Sequence, residues 1–171
     1  MLLWAYQEAK MIQIQQLKDK SLEEAIKSFE NVDQSKLLDR LKSETTYTHF
    51  VVYDGEKILG ISQYRFLDAD IAMIDCIYIT PTERKLKLGD GLLRATLNSI
   101  EIRKGSSVIF YVNDEERSFY SHIGFSAFDP KVITCNLGIK NIVEDRPLNC
   151  LMYLDSISDF FDQPCKSSIK R

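Results

Sequence analysis

Cysteine is scarce in this chain and scattered. Cys76, Cys135, Cys150 and Cys165 form no CxxC pair, and their wide separation gives neither zinc-ligand spacing nor a dense disulfide framework. They read as reduced thiols of a cytosolic protein. Histidine is scarcer still: His49 and His122 lie near no partner with ligand spacing, and both read as ordinary surface residues. No metal is expected. Nor is there an excess of positive charge, because 22 Lys and Arg face 25 Asp and Glu for a net charge of −3. Nucleic acid as the main ligand would need a broad basic face, so it is not expected here. No run approaches the roughly 18 apolar residues of a membrane span. The opening Met1-Leu2-Leu3-Trp4-Ala5-Tyr6 is apolar but lacks a basic n-region, a sustained apolar core and a small-residue cleavage site. Repeats, linkers and low-complexity tracts are absent too, and the expectation is a soluble, cytoplasmic protein with no membrane partner.

What remains is an ordinary globular composition. Hydrophobic residues make up 44% and charged residues 27% of 171, enough for one domain that buries roughly two thirds of its unfolded surface. We place the domain at residues 11–160, with residues 1–10 as an N-terminal extension and 161–171 as a flexible tail. Ile12, Ile14 and Leu17 suggest a first strand. Ser21-Leu22-Glu23-Glu24 matches a capping box, followed by Leu22, Ala25, Ile26 and Phe29 on one helical face. A second short helix is expected around Lys36 to Lys42. Phe50–Tyr53 and Ile58–Tyr64 flank Asp54-Gly55-Glu56-Lys57, a hairpin signal. Further strands are expected at Ala72–Ile79, Val108–Val112, Val132–Leu137 and Leu148–Leu154. Between them lie a helix from about Gly89 to a stop at Lys104-Gly105, and a helix Glu115–Ile123 with Phe119, Tyr120 and Ile123 turned inward and Gly124 as its cap. Phe160-Phe161 reads as an anchor for the C-terminus, with a homodimer contact as the alternative.

One stretch carries chemistry. From Ile77 to Leu93 an apolar strand pattern breaks into Thr80-Pro81-Thr82-Glu83-Arg84-Lys85-Leu86-Lys87-Leu88-Gly89 and then into a helical pattern. The first N–H groups of a helix have no intrahelical partners, and with the helix dipole they favour a phosphate. Arg84, Lys85 and Lys87 add positive charge there. Alone, such a turn is usually a solvated cap.

The order of elements, with two separate motifs, resembles the GNAT superfamily of acyl-CoA-dependent N-acetyltransferases. The first motif, Arg84-Lys85-Leu86-Lys87-Leu88-Gly89, is similar to that family's pyrophosphate loop; the second, Asn113, Phe119-Tyr120 and Gly124-Phe125, is similar to its late strand-to-helix motif. The resemblance spans Ile12 to about Leu154. It implies an α/β fold, layered as α+β, with a mixed central sheet, splayed parallel strands and flanking helices. It also implies acetyl-CoA as acyl donor. Ile77 and Ile79 would offer main-chain bonds to the pantetheine arm, Arg84 through Gly89 would wrap the pyrophosphate, and Asn113 would contact the arm. Tyr120 would return a proton to the leaving thiolate.

Lys87 stands where the family's first loop glycine lies. It either adopts the turn and adds a charge, or crowds the cofactor. For the carboxylate that prepares the amine, Asp75 and Glu83 are the local candidates; Asp75 is favoured because strand alternation lets it face the substrate cleft. Cys76 reads as a small buried residue, since direct transfer needs no acyl-enzyme. The function implied is transfer of an acetyl group to a primary amine of a small-molecule or peptide acceptor. The alternative is a catalytically weakened module that senses CoA or binds protein, motivated by Lys87.

Overall fold

A computed structural model of the chain describes residues 11–18, 22–29, 34, 37, 41, 45–129 and 150–163, without the Lys85 side chain. Residues 1–10, Ser21 of the capping box and the expected strand Val132–Leu137 lie outside them. Strands β1 (Ile12–Gln16), β2 (Thr48–Asp54), β3 (Lys57–Phe66), β4 (Ile71–Ile79), β5 (Ser107–Tyr111), β6 (Ser126–Ala127) and β7 (Leu151–Leu154) form one sheet in the order β1-β2-β3-β4-β5-β7-β6. Helices α1 (Leu22–Lys27), α2 (Leu88–Ile102), α3 (Asp114–Ile123) and α4 (Ile157–Asp162) flank it, and a 3-10 turn, Pro81–Leu86, precedes α2. Among the described residues every strand pairing is antiparallel except that of β4 with β5. A parallel pair needs a crossover, and α2 supplies it. The mixed, layered α/β sheet is therefore as expected.

The sheet is covered on both faces, which explains why β4 reads as a nearly continuous apolar run. On one face Leu92, Leu93, Leu97 and Ile100 of α2 pack with Val52, Leu59, Tyr64, Ile74, Ile77 and Ile79. Their helical spacing forms one apolar stripe. On the other face Leu22, Ala25, Ile26 and Phe29 pack with Val51, Tyr53, Ile58, Ile61 and Cys76. Leu37 and Leu41, the described residues of the expected second helix besides its neighbour Gln34, join that cluster, and the Leu41 N–H donates to the Leu37 carbonyl at 3.1 Å.

Several local expectations change. The left-handed residue that ends α2 is Lys104, φ 74°, not Gly105. Gly105 is there for space, because a Cβ would run into Ile100 and meet Phe66 at 3.1 Å. Phe119 is not turned inward: it is 44% exposed, whereas Tyr120 beside it is buried. His49 is half-buried rather than on the surface, its Nε2 sharing a 3.0 Å hydrogen bond with Oε1 of the fully buried Gln63. Helix α4 runs from Ile157 to Asp162, with Phe160 buried and Phe161 packed against the core.

Arg103 fixes the far end of α2. Its guanidinium donates to the Thr48 hydroxyl (3.0 Å) and the Tyr64 hydroxyl (3.2 Å) and lies 4.9 Å from the Phe66 ring centre. Gly60 fixes the sheet at the near end. A Cβ on it would collide with the Ile79 side chain and lie 2.8 Å from the Tyr78 carbonyl oxygen. Gly60→Ala should therefore cost about 1–3 kcal/mol, read as a lowered midpoint in urea unfolding; an unchanged midpoint would show that β3 and β4 can move apart freely.

Candidate active site

The site begins where two parallel strands stop pairing. β4 and β5 are in register from Ile71↔Ser107 to Ile74↔Phe110 and no further, although β4 continues to Ile79. The cause lies in β4 itself. Against β3, Gln63 pairs with Cys76 and Tyr64 with Ile74, so Asp75 is an extra residue in a β-bulge. A bulge bends its strand and sharpens the twist, and here it follows the last β4–β5 pair directly. Beyond it Ile77–Ile79 stay in register with β3, through Ile77↔Ser62, Tyr78↔Ile61 and Ile79↔Gly60, and among the described residues they no longer pair with β5.

The gap is a cleft of about 450 Å³ lined by Ile77, Tyr78, Ile79, Arg84, Gly89, Asn113, Glu115, Glu116, Phe119 and Tyr120. Its floor is the end of β4. One wall is the 3-10 turn and the start of α2. The Thr80 N–H donates to the Leu59 carbonyl (2.9 Å), which ends the strand, and Pro81 opens the turn. Lys87 then reverses the chain in the left-handed region at φ 58°, ψ 17°, the conformation a glycine would take without strain. The Gly91 N–H is bonded to the Lys87 carbonyl at 3.2 Å, so the N–H groups before it have no intrahelical acceptor. Gly89 lines the cleft, and a Cβ there would meet nothing closer than Ile79 at 3.8 Å. The protein's own packing does not require a glycine at 89.

The opposite wall is α3. Asn113 caps it, Oδ1 accepting from the Glu116 N–H at 2.8 Å, and Gly124 ends it at φ 117°. Tyr120 is held by aromatic rings, edge-on to Phe110 at 4.4 Å and to Phe125 at 5.9 Å, while Phe119 packs on it at 5.1 Å. Arg84 reaches into the gap. Its Nε donates to the Ile79 carbonyl at 3.3 Å, on the floor of the cleft.

Of the residues singled out from the sequence, Ile77, Ile79, Arg84, Gly89, Asn113 and Tyr120 line this one cleft. Leu86 is half exposed, Leu88 is buried in the core and Lys87 is exposed, and none of these three is among the lining residues. Asp75 is not in the cleft either. It is buried, and its Oδ2 lies 3.4 Å from Nε of Arg65, whose guanidinium stands 5.3 Å from the Tyr47 ring centre. Glu115, Glu116, Phe119 and Tyr78 line the cleft without having been foreseen. A helical wheel on α3 beginning at Asn113 would have put Glu116 and Tyr120 on one side. Among the described residues no group of His, Cys, Asp and Glu could hold a metal ion.

A search of curated proteins found no match. The family model of the GNAT acetyltransferase domain matches residues 45–127, the stretch from the hairpin through both motifs. Solved structures share the fold at low identity. Tetrahymena GCN5 has a TM-score of 0.65 at 13% identity, covering 82% of this chain and 94% of its own. Ard1 from Thermoplasma volcanium has a TM-score of 0.56 at 18% identity, with 84% and 96% covered. N-acetylglutamate synthase from Neisseria gonorrhoeae, in complex with coenzyme A and N-acetyl-glutamate, has a TM-score of 0.61 at 12% identity over 85% of this chain but 35% of that one. Residues 45–127 thus resemble the GNAT acetyltransferase domain, and the chain shares its fold with these solved structures.

Proposed function

We propose that this chain is an N-acetyltransferase that moves an acetyl group directly from acetyl-CoA to a primary amine of a small-molecule or peptide acceptor. The observation that carries the reading is the fork itself: the end of β4 past its last pair with β5, the start of α2 and Tyr120 all meet in one cleft. The residues fit the donor in three ways. Ile77 and Ile79 present a strand edge to which an extended amide-bearing arm can add as a further strand. Arg84 and Gly89 at the start of α2 line the same cleft, where an anion would meet a guanidinium and the first N–H groups of a helix, and Lys85, Leu86, Lys87 and Leu88 complete that loop. Gly89 leaves open the space its Cβ would take, so a phosphate can approach the backbone.

Acetyl-CoA supplies an activated thioester and a thiolate leaving group. Tyr120, kept in place by Phe110 and Phe125, would give its proton to the thiolate as the C–S bond breaks and regain one, through solvent, from the amine that loses a proton as the C–N bond forms. Asn113 aims the start of α3 at the arm. Asp75, buried in the bulge and paired with Arg65, supports the acceptor's amine indirectly, by setting the shape of the fork beside it. Arg84 exchanges its bond to the Ile79 carbonyl for the pyrophosphate, which frees that carbonyl for the arm.

Titration calorimetry with CoA and acetyl-CoA is the primary test. Binding should be micromolar, and Arg84→Ala should weaken it about 10- to 100-fold, the worth of a charged hydrogen bond. No binding at millimolar concentration would sink the reading. Tyr120→Phe should slow acetyl transfer, followed as free thiol, by about 100-fold or more while leaving CoA affinity within about twofold. Equal rates for the two proteins would remove Tyr120 from the chemistry. Gly89→Ala should keep or raise stability, by up to about 1 kcal/mol, yet lower CoA affinity; intact affinity would mean that the phosphates lie elsewhere.

A further inference from the structure

The first turn of α2 carries a negative charge that a phosphate site does not want. Asp90 follows Gly89 of the cleft directly and is the third residue of the helix. The helix dipole favours a carboxylate there, but the same partial charge is what would attract a pyrophosphate, and the two anions would repel each other. The fold answers this with a built pair. Arg94, one turn on, donates from Nε to Asp90 Oδ2 at 3.2 Å, with side chains 31% and 21% exposed. The guanidinium is in turn held 5.0 Å from the ring centre of Phe160 in α4, and Phe160 is buried in the main core. A chain of contacts therefore runs from the C-terminal helix through Arg94 and Asp90 to the edge of the cleft.

We infer that Arg94 is a positioning residue for the phosphate end of the site: it neutralises Asp90, and α4 holds it there through Phe160. The inference rests on the reading that the donor's pyrophosphate lies at the start of α2. If the pair merely stabilised the helix, its loss would leave cofactor binding untouched.

The experiment is calorimetry with CoA on the full chain, wild type beside Arg94→Gln, Asp90→Asn and the double variant, at low and high salt, with thermal melts to show that each is folded. Arg94→Gln should lose about 3- to 10-fold in affinity at low salt and less at high salt, because the exposed Asp90 charge is screened. Asp90→Asn should bind at least as tightly as wild type, and the double variant should return to within about twofold of it. Wild-type affinity in Arg94→Gln overturns the inference, as does a double variant as weak as Arg94→Gln. Should Arg94→Gln fail to fold, Asp90→Asn decides alone: weaker CoA binding there sinks the inference. Absence of CoA binding by the wild type would remove the donor reading and this inference together, whereas binding that ignores the Arg94 charge removes this inference and leaves the donor reading standing.

Discussion

One extra residue in β4 organises the site. Asp75 adds a bulge against β3 immediately after the last β4–β5 pair, so a strand that would have continued a parallel ladder turns away from its neighbour. A parallel pair opened in this way leaves main-chain donors and acceptors along one edge, and such groups seek partners. The protein brings a helix start to one lip and a second helix to the other, and leaves between them a cleft whose floor is the end of β4. The same residue also carries a buried carboxylate beside Arg65, which links the geometry of the fork to the charge near it.

Position is secured by packing elsewhere. Helix α2 is clamped to the sheet by its apolar stripe and by Arg103 against Thr48, Tyr64 and Phe66. Its N-terminus is therefore delivered to a set place. Gly60 lets β3 lie close beneath Ile79 and Tyr78, and keeps the floor of the cleft flat against its neighbour. On the α3 side a group of rings, Phe110, Tyr120, Phe125 and Phe160, joins β5, α3 and α4. Phe160 thus serves both walls, one through Phe125 and the other through Arg94. Strain is accepted at Lys87, whose left-handed backbone costs a non-glycine residue of the order of 1–2 kcal/mol. Tight turns at functional loops are where such cost is commonly found.

Much of this was legible from residue order. The hairpin around Asp54-Gly55, the apolar run of β4, the periodic face of α2 and the Asn113 to Gly124 frame of α3 each follow from local rules of turn chemistry, periodicity and capping. The motif residues Ile77, Ile79, Arg84, Gly89, Asn113 and Tyr120 do converge. Other positions depend on contacts that residue order does not carry. Strict strand alternation does not describe Asp75, because it lies in a bulge. Phe119 was read as core because it is aromatic and next to Tyr120, but a one-residue step on a helix turns a side chain by about 100°. His49 was read as a surface residue because its partner Gln63 lies 14 positions away on another strand.

The sequence by itself determined the class of fold, the crossover through α2 and the two motifs, because each depends on contacts within a few residues. The tertiary structure alone decided where β4 leaves β5, that Asp75 turns to Arg65, that Arg84 reaches the Ile79 carbonyl and that Arg94 stands between Asp90 and Phe160. Register, burial and the meeting of distant charges arise only when separate elements pack, and no local pattern of residues encodes them.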